Sequence, residues 1–328
     1  MAGLLLGADG GNTKTIALVA ARDGTILGAG RSGNSDLYNA PSVDAALASI
    51  AAAAAEALAT AGAAAADVEA SCFSLAGADW AEDFELLRIE LPARIGLSSE
   101  PLVVNDAVGA IRAGTPDGIG TAVVCGTYGV SSGRNAAGEV FHLGFWPDSC
   151  GARPLAREAL SAVWRADLGY GPATSLTRRA LGAFGVPDPV ALLHELTRRG
   201  GPGFEAADRL APAVLDEADA GDEVAAAIVA NQGRILGDQT QACAERVGLA
   251  GGEFPVVLAG GVFRHPSRLL AEKLMQRMPG GRAVRTAHEP AVGALLFAFD
   301  RAGVKADEAR LEATAPPAAT YATTFTPT

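Results

Sequence analysis

Leu4-Leu5-Leu6-Gly7-Ala8-Asp9-Gly10-Gly11-Asn12-Thr13-Lys14-Thr15-Ile16-Ala17-Leu18-Val19 is an apolar run, a short polar turn and a second apolar run. The pattern predicts two strands joined by a hairpin. The turn holds one carboxylate, two glycines, two threonine hydroxyls and an ammonium group, a set suited to an anion. Gly10 and Gly11 can take φ > 0 and let backbone N–H groups approach phosphate oxygens. Asp9, at the end of the first strand, is placed to hold a hydrated Mg²⁺, because hard cations take oxygen ligands. Asp-Gly and Gly-Asn are also ordinary hairpin punctuation, so the turn alone leaves a structural role open. It is neither a Walker A loop nor a dinucleotide fingerprint, since both need a helix after the turn and here a strand follows.

Outside the hairpin, composition sets the bounds. A chain of 328 residues exceeds most single domains, so two domains are expected, each able to bury its own core. An apolar fraction of 49% with only 19% charged residues excludes a disordered chain. The net charge of −11 argues against a general nucleic-acid binder, which needs a basic face to displace counterions. The Ala-rich stretch from Ser42 to Ala66 carries Asp44 and Glu56, which points to an amphipathic helix rather than a membrane span. No basic segment precedes Leu4, so no export signal is expected. Cys72, Cys125, Cys150 and Cys243 are widely spaced, a pattern of reduced, buried thiols in the cytoplasm rather than of a zinc site or disulfide framework.

Periodicity extends the reading along the chain. A third strand is expected over Thr25–Gly30, a helix from Ser42 to Gly62, a strand over Ala70–Leu75, a helix over Ala81–Arg94, a strand over Leu102–Val104 and a helix opening at Asp106. The strand–turn–strand pattern then restarts at Thr121–Gly126, Val130–Arg134 and Glu139–Gly144, as in an internal duplication. Leu155–Leu249 reads as mainly helical. The α/β alternation returns with a strand over Pro255–Leu258, the turn Ala259-Gly260-Gly261, a helix over Pro266–Met278, a strand over Ala283–Thr286 and a helix over Ala291–Ala302. After Val304 the periodicity fades into a Pro/Thr/Ala-rich tail expected to be mobile or laid on the surface.

These separated segments agree with one pattern. In Asp9-Gly10-Gly11-Asn12-Thr13-Lys14-Thr15, Asn105-Asp106-Ala107, Gly126-Thr127-Tyr128-Gly129, Ala259-Gly260-Gly261 and Pro290-Ala291-Val292-Gly293-Ala294, the chain resembles the N-acetylglucosamine kinase branch of the actin-like sugar kinase superfamily. That branch also includes the BadF/BadG/BcrA/BcrD-type ATPases. The resemblance implies an α/β protein of two actin-like (ribonuclease H-like) domains, each with a mixed five-stranded sheet flanked by helices, and a cleft between them. The expected division is 1–115, 116–304 with a helical insertion, and a tail at 305–328.

The resemblance also implies ATP and Mg²⁺ as cofactors and a small-molecule sugar as partner, with homodimerisation left open and neither nucleic acid nor membrane bound. Asp9 falls on the metal side; Gly10, Gly11, Asn12, Thr13 and Lys14 form the first phosphate loop, Gly126 and Thr127 the second, and Gly260 and Gly261 the adenosine motif. Asp106 matches the general base for the acceptor hydroxyl, next to Asn105. The local sequence equally allows Asp106 to be a helix N-cap. Asn34 matches an asparagine that contacts the sugar, though asparagine there is also a turn former. Two stretches depart from the family. Asp148-Ser149-Cys150-Gly151 stands where Gly-Asp-Glu-Gly is usual, with Asp148 as one way to regain a carboxylate, and Tyr128 interrupts the second loop. Paired cysteines for an iron–sulfur cluster are missing. His142 and the other histidines show no ligand spacing, and Trp80 and Trp146 fall in loops after strands.

Overall fold

β1 (Leu4–Gly10) is buried along nearly its whole length, which is why it reads as a continuous apolar run instead of an alternation. Around it the computed structural model describes residues 3–145, 148–286 and 288–316; the expectations for Trp146 and for the tail from 317 on lie outside these residues. β2 (Thr15–Ala20), β3 (Ile26–Ser32), α1 (Val43–Ala61), β4 (Val68–Leu75), α2 (Ala81–Ile95), β5 (Leu102–Asn105) and α3 (Asp106–Gly114) follow. The sheet order is β3-β2-β1-β4-β5. β1, β2 and β3 pair antiparallel, whereas β1, β4 and β5 run parallel.

The second half contains β6 (Gly120–Cys125), β7 (Gly129–Arg134), β8 (Val140–Leu143), α4 (Ala152–Asp167), α5 (Leu176–Phe184), α6 (Pro189–Thr197), α7 (Ala211–Asp219), α8 (Glu223–Arg246), β9 (Phe254–Ala259), α9 (Leu269–Met275), β10 (Gly281–Arg285), α10 (Pro290–Arg301) and α11 (Glu308–Thr314). A second sheet of five strands has the order β10-β9-β6-β7-β8. Two mixed sheets flanked by helices are therefore present, as expected.

Side-chain alternation in β1 explains the layers of the first sheet. Leu4, Leu6 and Ala8 pack with Ala46, Leu47, Ile50, Ala53, Ala54 and Ala57 of α1 on one face, while Leu5 joins Ile16, Leu18, Cys72, Leu295 and Phe299 on the other. The alanines of α1 have a specific reason. A Cβ at Gly28 or Gly30 would collide with the backbone of Ala57 or Ala53, so helix and sheet meet backbone to backbone and only small residues fit. α1 is the one helix among the described residues long and apolar enough to cross a membrane; here its apolar side covers the sheet. Ser42 accepts the Ala45 N–H and Gly62 closes the helix in left-handed geometry, so both ends fall where the sequence puts them.

The chain forms two compact units. One contains the residues up to Ala122, Gly133–His142 and the described residues from Val284 on; the other contains Val123–Ser132 and Leu143–Ala283. This grouping departs from a linear cut at 115/116. The reason is α10, whose Leu295, Phe297 and Phe299 fill the core on one face of the first sheet. The segment after Val304 is also ordered further than its fading periodicity implies. Asp307 caps α11, Leu311 is 3% exposed, Arg310 pairs with Asp23, and the Thr314 hydroxyl accepts the Ile26 N–H. The second unit has its own core, in which α4, α7 and α8 pack with Val123, Val256 and Leu258. The helix expected from Pro266 begins only at Leu269, because a 3-10 turn over Val262–Arg264 and the Ser267–Asp219 hydrogen bond (2.8 Å) use the preceding residues.

Candidate active site

The polar centre of the first unit gathers where β1, β4 and β5 end. Parallel register sets Asp9 beside Ser74 and Leu75 beside Asn105, so the residues following these strands emerge at one sheet edge, where α/β proteins bind ligands. Asn105 is 2% exposed and is the N-cap of α3: its Oδ1 accepts the Ala107 N–H at 3.1 Å. Asp106 is therefore the first helical residue and not the cap. Its Oδ1 lies 2.9 Å from the same N–H. The capping role left open by the sequence thus falls to its neighbour.

Around Asp106 stand groups that sequence spacing does not single out. Asp79, in the segment after β4, accepts the Asn105 Nδ2–H at 3.1 Å. Its own N–H donates to Asp83 (3.2 Å), which also takes the Trp80 N–H (2.8 Å) at the start of α2. His142 Nε2 lies 3.4 Å from Asp79 Oδ1 and 3.2 Å from its carbonyl oxygen. Asp36, 5% exposed, accepts the amides of Asn12 (2.8 Å) and Asn39 (3.0 Å). The Asp106 carboxyl is pushed up to about 7. Burial is the first cause and the Asp79 charge the next; Asp36 adds to the rise, while the Ala107 N–H and His142 oppose it. The one signal that points to Asp79 from sequence is its place just past a parallel strand. Asp36 and His142 carry none, since only tertiary packing brings them here.

The first loop is built by its contacts. Gly11 N–H donates to the Lys14 carbonyl at 3.0 Å, Ser35 N–H to the Gly11 carbonyl at 3.1 Å and Ala76 N–H to the Gly10 carbonyl at 2.8 Å. Neither Gly10 nor Gly11 has positive φ, which corrects the expectation of left-handed geometry. Glycine is required at 10 because a Cβ would collide with Ser35 Oγ, whereas a Cβ at 11 would meet open space. Lys14 Nζ pairs with Glu289 at 3.0 Å, the two side chains being 18% and 5% exposed. Asn34 directs both ends of its amide into its own loop, to the Asn39 carbonyl (3.0 Å) and the Asp36 N–H (2.9 Å).

In the second unit, Gly126-Thr127-Tyr128 forms a turn closed by Gly126 N–H to the Tyr128 carbonyl, 3.0 Å. Its carbonyls at 126 and 127 accept the Ala152 and Arg153 N–H groups, 2.9 and 3.1 Å, satisfying the first donors of α4. Arg153 lies over the Tyr128 ring at 5.5 Å and is held by Asp208 at 2.9 Å. Gly151 and Gly260 both have positive φ, and a Cβ on either would press into backbone, that of Thr127 at 2.7 Å or of Cys125 at 2.5 Å. At 261 a Cβ would meet open space. Asp148 is exposed. Cys150 is buried together with the other three cysteines, all unpaired. Burial pushes the Cys150 and Cys243 thiols up to about 12, so they are inert apolar fillers.

Among the described residues no group of three or more His, Cys, Asp or Glu side chains is arranged to hold a metal. A divalent cation would thus depend on Asp9, water and substrate phosphates, the habit of Mg²⁺.

Comparison with known proteins agrees with this architecture. The N-acetyl-D-glucosamine kinase of Dictyostelium discoideum is 26% identical over 313 residues, covering 90% of this chain and 98% of that protein. A Chromobacterium violaceum structure, provisionally assigned as an N-acetylglucosamine kinase, superposes with a TM-score of 0.65 at 24% identity, covering 89% of this chain and 98% of that one. A glucokinase of the ROK family from Streptomyces griseus, solved with glucose and AMPPNP, gives 0.57 at 20% identity, covering 91% and 100%. The fold is that of the two-domain actin-like sugar kinases. The model of the BadF/BadG/BcrA/BcrD ATPase family matches residues 6–298, and the chain belongs to that family.

Proposed function

We propose that this chain is an ATP- and Mg²⁺-dependent kinase transferring the γ-phosphoryl group to a hydroxyl of an amino sugar or hexose, with N-acetylglucosamine or glucosamine as the foremost acceptors. The observation that carries the reading is Asp106: half-buried, released from capping by Asn105 and poised near neutrality. A base of that kind is matched to its task, because a pKa near the working pH balances ionisation against basicity. The named activity of the Dictyostelium relative, aligned over nearly its full length, supports the acceptor class.

In this reading Asp106 takes the acceptor's hydroxyl proton as the new P–O bond forms and the bond to the departing ADP oxygen breaks. Gly10, Gly11, Thr13 and Lys14, with Gly126 and Thr127, are the groups for the phosphates; Gly260 and Gly261 receive the adenosine; Asp148 serves the acceptor, while Asn34 and Asn105, whose amides are engaged by neighbouring loops, hold those loops in place. Asp9 would hold Mg²⁺, which supplies charge neutralisation on the phosphates when bound. The four unpaired, buried thiols support a reducing cytoplasmic setting.

A coupled ADP-release screen across hexoses, amino sugars and their N-acetyl forms tests the proposal, and acceptor-dependent ADP release is the expected result. The exposed Asp148 and buried Cys150 favour one alternative, a nucleotide- and sugar-binding sensor. It predicts a raised melting temperature with ligands but no turnover. Hydrolysis that no sugar stimulates would instead indicate an ATPase energising a partner.

A further inference from the structure

We propose that His142 and Asp79 are positioning residues for the chemistry assigned to Asp106, joined in one polar path and bearing on that base with opposite charge. The inference rests on the kinase reading for its purpose, and on geometry for its content. From β8, His142 reaches Asp79 with Nε2 at 3.4 Å from Oδ1 and 3.2 Å from the carbonyl oxygen. The same Oδ1 accepts Asn105 Nδ2–H at 3.1 Å. Asn105 in turn binds the Ala107 N–H, at 3.1 Å, which Asp106 Oδ1 shares at 2.9 Å. A continuous polar path thus runs from β8 through the segment after β4 to the first turn of α3.

The charges along that path oppose one another. Asp79 and Asp36 resist ionisation of Asp106, and His142 favours it. Other charged groups on elements packed near α3 are engaged elsewhere. Lys14 pairs with Glu289 at the start of α10, and Arg112 of α3 pairs with Asp300 at 2.9 Å. Asp9 stands near the end of β1, in the same sheet. Without the imidazole, the Asp79 charge bears on the base with no opposing group at this end of the path.

The test uses the full chain with Asp79→Asn, His142→Gln and the double variant. For acceptor turnover, the acid limb of kcat/KM should fall by about one pH unit in Asp79→Asn and rise by about half a unit in His142→Gln. The double variant should lie between the two single variants, because both charges act on Asp106 itself. A merely structural role would lower kcat without moving the limb, and would overturn the proposal. Titration of the Asp106 ¹³Cγ resonance, assigned by its loss in Asp106→Asn, reads the same shifts with no acceptor present. Loss of turnover with these shifts intact would therefore defeat the kinase reading and leave the coupling standing. The conservative variant His142→Asn should move the Asp106 midpoint in the same direction as His142→Gln, and a midpoint unmoved in both overturns the proposal.

Discussion

Asp106 is useful because Asn105 does the structural work beside it. With the cap satisfied by the amide, the carboxylate can be changed at little cost to α3. Asp106→Asn should lower phosphoryl transfer by about 10²–10⁴-fold, and isothermal titration with an ATP analogue should show nearly unchanged nucleotide binding. The raised pKa makes a second prediction. Protonated Asp106 favours the folded state below the ordinary carboxylate pKa, and that contribution is lost as pH climbs from about 4 to about 7, because the unfolded chain ionises first. Thermal melts should therefore find Asp106→Asn more stable than wild type at pH 8, with the gap closing towards pH 4. Catalytic activity follows the opposite course and falls below about pH 7. At this scale the sequence displayed Asp9, Asn105 and Asp106, since each closes an apolar run. It hid Asp36, Asp79 and His142, whose meaning lies in contacts made across 24, 26 and 63 positions of chain.

Among the elements, those with local punctuation were the legible ones. α1 is bounded by a serine that caps and a glycine in left-handed geometry, both visible as letters. The start of α9 was not legible, because Ser267 turns its hydroxyl to Asp219 and delays the helix, a choice made by tertiary structure. Glycine conveys the same contrast as an experiment. Gly30→Ala drives a methyl group into the Ala53 carbonyl of α1, an overpacking that should cost about 3 kcal/mol or more. Gly182 lies within α5, with nothing within 4 Å of an added Cβ. Gly182→Ala should stabilise by about 0.5–1 kcal/mol through helix propensity alone. Urea denaturation measures both, and equal signs would show that the α1–sheet seam is looser than its geometry implies. Ser42→Ala should fall between them, with a loss of about 1 kcal/mol.

Across the whole molecule, order along the chain and order in space part company at α10. Its sequence, Pro290-Ala291-Val292-Gly293-Ala294-Leu295-Leu296-Phe297-Ala298-Phe299, is apolar on every side, the mark of a helix buried all round. Periodicity alone does not say which sheet buries it. The structure gives the answer through Gly7 of β1, where a Cβ would run into the Leu295 backbone. The first sheet consequently lacks one face until the end of the chain has been made. A chain ending at Ala283 would leave Leu5, Ile16, Leu18 and Cys72 without Leu295 and Phe299 above them. At about 1.5–3 kcal/mol for each large side chain uncovered, the loss is comparable to the whole stability of an ordinary domain. Hydrogen exchange on that truncated chain should show β1, β2 and β4 unprotected while α8, whose core is separate, keeps its slow amides. Adding residues 284–316 as a separate peptide should restore protection to β1, and slow exchange in β1 without them would mean that the first unit does not depend on α10.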